Sequence, residues 1–187
     1  MTSDDRYCGG WDDRAFFSIP TGQWPWEINQ VSEIVKKKHP KKILEIGCLY
    51  GGTLAIWLSC LDGEGTVVGI DPNIDDVREY LNDPKLVLIK SMSREHRAIA
   101  KSMEFQPFDV LFIDGDHSYE GAKQDFMVYG EMVKKGGLII LHDIVTFRHE
   151  VGVPRLWEEI KRKHKTFEIV GKHTDDIPGG GIGIVYK

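Results

Sequence analysis

Short apolar runs alternate with helix-like segments along most of the chain, and this alternation limits the fold more than any other feature of the sequence. Most of the runs are continuously apolar, which is typical of strands that helices cover on both faces. The seven runs lie at residues 42–47, 66–71, 85–90, 108–114, 137–143, 167–171 and 181–187. The pattern predicts βαβ units, and therefore an α/β fold with a doubly wound, mostly parallel seven-stranded sheet.

Helical segments are predicted after each of the first five strands. The fourth of these segments has one apolar stripe at helical spacing, formed by Ala122, Phe126, Tyr129 and Val133. Asp125 falls on the opposite, polar side of that predicted helix. Only turn-like residues, 172–180, separate the last two strands, and they are too few for a parallel crossover. The last two strands are therefore predicted to form an antiparallel C-terminal hairpin.

Length and composition set the broad class of the protein. The 187 residues suffice for one domain, 1–187, which we divide into an N-terminal lid or helical segment (1–40) and a core (41–187). A net charge of -5 disfavours nucleic-acid binding through phosphate neutralisation. Three cysteines without metal-type spacing predict reduced thiols and a cytoplasmic location. No apolar run reaches the length of a membrane span and no signal peptide is recognisable, so no membrane partner is expected.

A glycine-rich loop follows the first strand and leads into a helix, so that its backbone N–H groups and the helix dipole can hold an anion. A dinucleotide-binding loop would need glycine where Leu49 stands. Glu45 ends the strand, where its charge would repel a diphosphate but suits the ammonium group of an amino acid. We therefore predict a ligand with an amino-acid head group. The predicted contacts in this loop are Glu45, Gly47, Gly51 and Thr53.

A second carboxylate, Asp71, ends the second strand, where such a group can reach a ribose diol. An amino acid joined to adenosine is S-adenosylmethionine, which is the predicted cofactor. Met92, after the third strand, is placed to line an adenine pocket. In the alternative interpretation, Glu45 caps the helix and Asp71 starts a turn ahead of Pro72.

Ionisable residues also end the next two strands. Asp114 ends the fourth strand, where it faces the cofactor edge and is also a predicted cofactor contact, and His142 and Asp143 end the fifth. Because consecutive parallel strands often lie side by side, these three side chains are expected to converge. Two carboxylates in contact repel each other unless a cation lies between them. Oxygen ligands suit Mg²⁺, and a histidine would also accept Mn²⁺, Fe²⁺ or Zn²⁺.

Asp116 and His117 are the two candidates for a base that removes a proton, and the sequence does not choose between them. His117 titrates nearest to neutral pH, whereas Asp116 shares the outward face with Asp114 if the chain stays extended. Alternatively, Asp116 or Ser118 only caps the helix that begins near Tyr119, and His117 is a surface residue.

The motifs together resemble those of class I S-adenosylmethionine-dependent methyltransferases over roughly residues 40 to 187. They are most similar to methyltransferase family 24, a group that includes cephalosporin hydroxylase-like proteins and is related to catechol and sugar O-methyltransferases. The resemblance rests on "ILEIGCLYGGT", "GIDPN", "FIDGDHSYEG", "VKKGGLIILHDI" and "VPRLWEEI". It implies a Rossmann-like methyltransferase fold whose last strand is antiparallel. It also implies a divalent metal held by Asp114, His142 and Asp143, although those families normally have an acid at the position of His142.

The function implied by the resemblance is metal-assisted O-methylation of a small hydroxylated molecule, such as a sugar, a phenol or a natural product. S-adenosylmethionine would supply the methyl group, Mg²⁺ would be the first choice of metal, and Asp116 or His117 would take the proton. The sequence does not decide whether the protein forms a homo-oligomer or whether the Trp-rich N-terminus forms a lid. The alternatives are a nucleotide-dependent, hydroxylase-like oxidoreductase and a non-catalytic protein that binds S-adenosylmethionine.

Overall fold

A seven-stranded sheet forms the centre of the protein. The structure is a computed structural model, and it describes residues 19–145, 151–171 and 180–187. The strands are β1 (Lys42–Ile46), β2 (Thr66–Asp71), β3 (Leu86–Lys90), β4 (Phe108–Ile113), β5 (Val133–His142), β6 (Lys165–Ile169) and β7 (Ile182–Tyr186). Their order across the sheet is β3-β2-β1-β4-β5-β7-β6. The strands β1 to β5 pair in parallel, and β7 runs antiparallel to both of its neighbours.

Helices cover both faces of this sheet. They are α1 (Pro25–Lys36), α2 (Gly52–Cys60), α3 (Ile74–Tyr80), α4 (His96–Met103), α5 (Tyr119–Gly130) and α6 (Val153–Lys161). On one face, α1, α2 and α3 pack against alternate strand residues such as Ile43 and Phe112. On the other face, α4, α5 and α6 pack against the intervening residues such as Leu44 and Leu111. Most strand positions in the centre of the sheet are therefore apolar, because both sides of the strand are buried, and Glu45 in β1 is a buried polar exception.

The predicted fold class is confirmed, and so is the antiparallel pairing of the last two strands. β7 lies between β5 and β6, with Ile184 paired to Ile140 on one side and to Phe167 on the other. The connection predicted between β6 and β7 falls largely at residues 172–179, outside the described residues, as do residues 1–18 of the predicted N-terminal segment. Among the helices that are described, none combines the length and the apolar character that a membrane crossing requires.

Two predictions about the fourth helical segment were wrong. Helix α5 ends at Gly130, and Val133 is the first residue of β5, where it pairs with Phe108. Asp125 was placed on the polar face, but it is buried with 1% of its surface exposed. It lies three residues after Ala122 and four before Tyr129, two other buried positions, so all three share one face of the helix. Burial raises the pKa of the Asp125 carboxyl to about 6.

The central strands bring the ends of the predicted motifs together. β1 lies between β2 and β4, and β5 lies on the far side of β4. At the carboxyl edge, Ile113 pairs with Ile46 of β1 and with Leu141 of β5. The residues that follow these strands therefore emerge side by side, which is where open α/β sheets bind their ligands.

Candidate active site

The glycine loop after β1 packs directly against the end of β4. Gly47 has a positive φ of 86°, and a Cβ atom at this position would overlap the backbone carbonyl of Asp114. Gly51 also has a positive φ, at 90°, and it begins α2 as the N-cap residue. A side chain at Gly47 would force β1 and β4 apart, so the loop needs glycine there for both its backbone angle and its close packing.

Asp71, at the end of β2, fastens this loop. Its Oδ2 atom accepts hydrogen bonds from the backbone N–H groups of Cys48 (2.8 Å) and Leu49 (3.3 Å), and Oδ1 accepts one from Asn73 (2.7 Å). The ribose contact predicted for Asp71 would have to use the lone pairs that remain. Met92 is half-buried in the turn after β3, where its carbonyl accepts the N–H of Glu95.

Four ionisable side chains meet where β4 and β5 end, and we call Asp114, His117, His142 and Asp143 the Asp114 cluster. Asp114 Oδ1 lies 3.0 Å from His142 Nδ1 and 3.1 Å from His117 Nε2. His117 Nδ1 lies 3.2 Å from Asp143 Oδ2, and His142 Nδ1 lies 3.7 Å from Asp143 Oδ1. The two carboxylates and the two imidazoles thus form one connected network.

The imidazoles decide the protonation of this network. Burial by itself would raise the pKa of Asp114, but the charge of His142 and the hydrogen bonds from both imidazoles hold that pKa well below its usual value. Burial would lower the pKa of His142, yet its contacts with Asp114 and Asp143 raise the pKa to about 9. The hydrogen bond to Asp114 raises the pKa of His117 as well. With a pKa of about 9, His142 is positively charged near neutral pH and compensates the Asp114 carboxylate.

The three residues predicted to bind a metal, Asp114, His142 and Asp143, all belong to this cluster. Asp114 Oδ1 and His142 Nδ1 are in hydrogen-bond contact, and His142 Nε2 is buried without a partner among the described residues. In the described part of the chain, no group of three or more His, Cys, Asp and Glu side chains has an arrangement that would hold a metal ion. As they are arranged, these residues do not fit a metal ion.

The two candidate bases lie in different surroundings. Asp116 Oδ1 accepts the backbone N–H of Ser118 (2.9 Å), which lowers the pKa of the carboxyl, and this side chain packs against Gly121 in the first turn of α5. Ser118 is the N-cap residue of α5, and its Oγ accepts the N–H of Gly121 (3.1 Å). The side chain of His117 points to Asp114 and Asp143, and with 38% of its surface exposed it is more open than the other cluster members.

Two residues before the first core strand complete the site, and the sequence analysis assigned no role to either. Gln23 Nε2 donates a hydrogen bond of 2.7 Å to Asp114 Oδ2. Glu27, which is buried, accepts the backbone N–H groups of Gly171 and Gly181, each at 2.9 Å. Glu27 thereby joins α1 to the end of β6 and the start of β7. No motif surrounds either residue, so only the three-dimensional contacts reveal them.

Glu45 is the acidic residue with the least compensation in the site. It is 1% exposed, and its Oε2 has no hydrogen-bond partner among the described residues. Burial and the nearby charges of Asp114 and Asp71 raise the pKa of Glu45 well above its usual value, and the Trp57 side chain offsets part of this rise. A group that brought positive charge and N–H donors into this region would relieve the repulsion. The glycine loop and the acids together therefore suit a ligand with an ammonium group.

Comparison with known protein families gives one match that spans most of the strands of this site. A family model described as a methyltransferase domain (Methyltransf_24) matches residues 44–144. The chain is also 32% identical over 117 residues to the uncharacterized protein R132 of Acanthamoeba polyphaga mimivirus, a match that covers 56% of this chain and 52% of that protein. The chain thus spans about half of the length of this relative.

Several solved methyltransferase structures share the fold. An O-methyltransferase from Bacillus cereus in complex with SAH has a TM-score of 0.67 at 17% identity, covering 88% of this chain and 82% of its own. TomG from Streptomyces achromogenes, in complex with SAM, has a TM-score of 0.64 at 16% identity, covering 84% and 78%. MycE of the mycinamycin pathway, in complex with Mg, SAH and mycinamycin VI, has a TM-score of 0.62 at 18% identity. This match covers 86% of this chain and 49% of the MycE chain. At these identities the likeness is one of fold.

Replacing Glu45 by Gln is expected to stabilise the ligand-free protein at alkaline pH. Because the pKa of Glu45 is raised in the folded state, the native protein keeps this proton to a higher pH than the unfolded chain does. The free energy of unfolding should therefore fall as the pH rises from about 4.5, and Gln should remove that part of the loss. We expect the variant to be more stable than the wild type at pH 8 and to differ little from it at pH 4.5.

The measurement is urea unfolding of the wild type and the variant at pH 4.5 and pH 8. Glu64→Gln, at an exposed position, is the matched control and should leave stability unchanged at both values. A Glu45→Gln protein that is less stable than the wild type at pH 8 would show that the carboxylate has a stabilising partner.

Proposed function

The chain belongs to the methyltransferase-domain family that matches more than half of it, and from this premise we propose that it is an S-adenosylmethionine-dependent O-methyltransferase. The methyl acceptor would be the hydroxyl group of a small molecule. The proposal rests on the position of Asp114. Its backbone packs against Gly47 of the glycine loop, and its side chain contacts the imidazole of His117. A cofactor site and a base therefore adjoin each other. The family match counts against the oxidoreductase alternative.

The cofactor part of the proposal is supported by the order of groups along the carboxyl edge of the sheet. The N-terminus of α2 suits the carboxylate of an amino-acid head group, and the uncompensated Glu45 suits its ammonium group. Asp71 and Met92 follow the next two strands, where the ribose and the adenine would lie. Structures of the same fold that are described in complex with SAH or SAM support the same choice.

The base in this proposal is His117. Its imidazole is more exposed than the other members of the Asp114 cluster, and Asp114 holds its Nε2 atom. The acceptor hydroxyl would take the place of Asp143 at Nδ1 and give its proton to that nitrogen. The oxygen then attacks the methyl carbon, the bond between that carbon and the sulfonium sulfur breaks, and S-adenosylhomocysteine leaves as a neutral thioether. The proton afterwards passes from His117 to solvent.

Binding of S-adenosylhomocysteine is the first expected outcome. Isothermal titration should give a single site with micromolar affinity, and Asp71→Ala should weaken it because the glycine loop loses two backbone contacts. Ser59→Ala, on the outer part of α2, should leave the affinity unchanged. If the folded wild-type protein shows no heat of binding at millimolar ligand, the proposed cofactor is wrong.

Replacing His117 by Gln is expected to lower kcat by a factor of about 10²–10⁴, the usual contribution of a general base. The acceptor for this assay is found by screening phenols, catechols and sugars with radiolabelled S-adenosylmethionine. The base must be neutral to accept a proton, so wild-type kcat/KM should rise with pH through a pKa above the ordinary histidine value of about 6.5. The affinity of the variant for S-adenosylhomocysteine should not change.

Asp116→Asn is the matched control for this assay. The amide can still accept the N–H of Ser118, so the variant should keep the start of α5 and retain activity within about twofold. A large loss of kcat in Asp116→Asn together with an active His117→Gln protein would reverse the assignment of the base.

A metal-dependent form of the same reaction is the alternative, with a divalent ion, Mg²⁺ first, held by Asp114, His142 and Asp143. The donor types support it, and so does the fold relative that is described in complex with Mg. The hydrogen bond between Asp114 and His142 counts against it, because it would have to break before an ion could bind.

The response to chelation separates these two forms. If the reaction needs no metal, protein dialysed against EDTA should retain methyl transfer within about twofold. Mass spectrometry should then show less than a tenth of an equivalent of metal bound to it. Loss of activity that MgCl₂ restores, with Asp143→Asn abolishing the restoration, would establish the metal-dependent form instead.

A further inference from the structure

Residues 19–23, which we call the N-terminal strap, lie across the beginning of α2. Thr21 Oγ1 is 3.2 Å from Thr53 Oγ1, and Gln23 N donates to Thr21 Oγ1 at 3.3 Å. A Cβ atom on Gly52 would overlap the carbonyl of Pro20, so the strap rests directly on the first turn of this helix. The strap therefore covers the end of α2 that carries the glycine loop.

Gln23 extends from this strap to the end of β4. Its Nε2 donates to Asp114 Oδ2 at 2.7 Å. An ionised carboxylate only accepts hydrogen bonds, so the amide nitrogen must face Asp114 and the carbonyl oxygen must face away from it. Gln23 is 2% exposed, and that oxygen, Oε1, is buried without a partner among the described residues. A buried acceptor left unpaired costs about 1–3 kcal/mol, so its presence at a strand end calls for an explanation.

A second acceptor without a partner lies in the same region. Glu45 Oε2 is buried and unpaired within the described residues, and the charge of Asp114 acts on Glu45 strongly enough to raise its pKa. Unpaired oxygens on two side chains beside an ionised carboxylate favour a partner that carries positive charge and more than one N–H donor. A primary ammonium group has both properties, since it carries three donors and no acceptor.

We propose that Gln23 recognises the ammonium group of the amino-acid part of the cofactor. Oε1 accepts one of its N–H groups, while Nε2 keeps Asp114 in place for His117. This inference rests on the proposed function and adds a binding residue to it. Because Oε1 is shielded from solvent, the N-terminal strap has to shift to admit the head group and then returns over it.

The test compares two nucleosides that differ in the head group. S-adenosylhomocysteine carries the amino-acid part, and methylthioadenosine has the same adenosine and thioether without it. Gln23→Met keeps the side-chain volume but removes both polar atoms. By isothermal titration it should weaken S-adenosylhomocysteine at least tenfold and leave methylthioadenosine within twofold of the wild type. The control Gln30→Met changes the same residue type at an exposed position of α1 and should alter neither affinity.

The other outcomes are equally informative. Equal weakening of both nucleosides, or no weakening of either, overturns the role of Gln23 while the proposed function stands. A wild-type protein that binds neither nucleoside contradicts the proposed function itself. If circular dichroism shows that Gln23→Met does not fold, Gln23→Asn replaces it. That variant keeps the amide but withdraws it by one methylene, and it should give the same selective loss for S-adenosylhomocysteine.

Discussion

The carboxylate of Asp114 is the contact on which the arrangement of the site depends. It stands at the end of a fully buried strand, where an ionised group needs compensation. Three side chains supply it: His117 and His142 share one oxygen, and the amide of Gln23 takes the other. These partners come from the turn before α5, the end of β5 and the N-terminal strap. The requirement to compensate one buried charge thus fixes the relative positions of three separate parts of the chain.

The sequence was sufficient for the parts of the structure that follow from periodicity. Continuous apolar runs separated by helical segments predicted the parallel sheet, and a connection too short for a crossover predicted the reversed strand. Side chains at the ends of adjacent parallel strands come together whatever the details of packing, so Asp114 and His142 could be expected to meet. Predictions of this kind depend only on strand order and on the point at which each apolar run ends.

The other features of the site could not be predicted, because they depend on side-chain directions in turns and on contacts between residues far apart in the sequence. Whether Asp116 or His117 faces the cluster is decided by a turn of a few residues, and the backbone N–H of Ser118 draws Asp116 into the start of α5. Asp125 was assigned to solvent by its polarity, although its spacing from Ala122 and Tyr129 places it on the buried face. Gln23 reaches Asp114 across 91 positions of the chain, and no local pattern encodes that contact.

Three of the carboxylates along the carboxyl edge are compensated to different degrees, and the differences point to where a ligand contributes most. Asp71 is held by backbone N–H groups and Asp114 by imidazoles and an amide, whereas Glu45 keeps an unpaired oxygen in a buried position. An unpaired buried carboxylate destabilises the ligand-free fold, and burial with the nearby charges of Asp114 and Asp71 raises the pKa of Glu45. A cationic ligand would oppose this rise and allow the carboxylate to ionise. The free energy that the unpaired carboxylate costs the ligand-free protein would then be recovered on binding. Only a ligand that places positive charge between β1 and β4 would recover it.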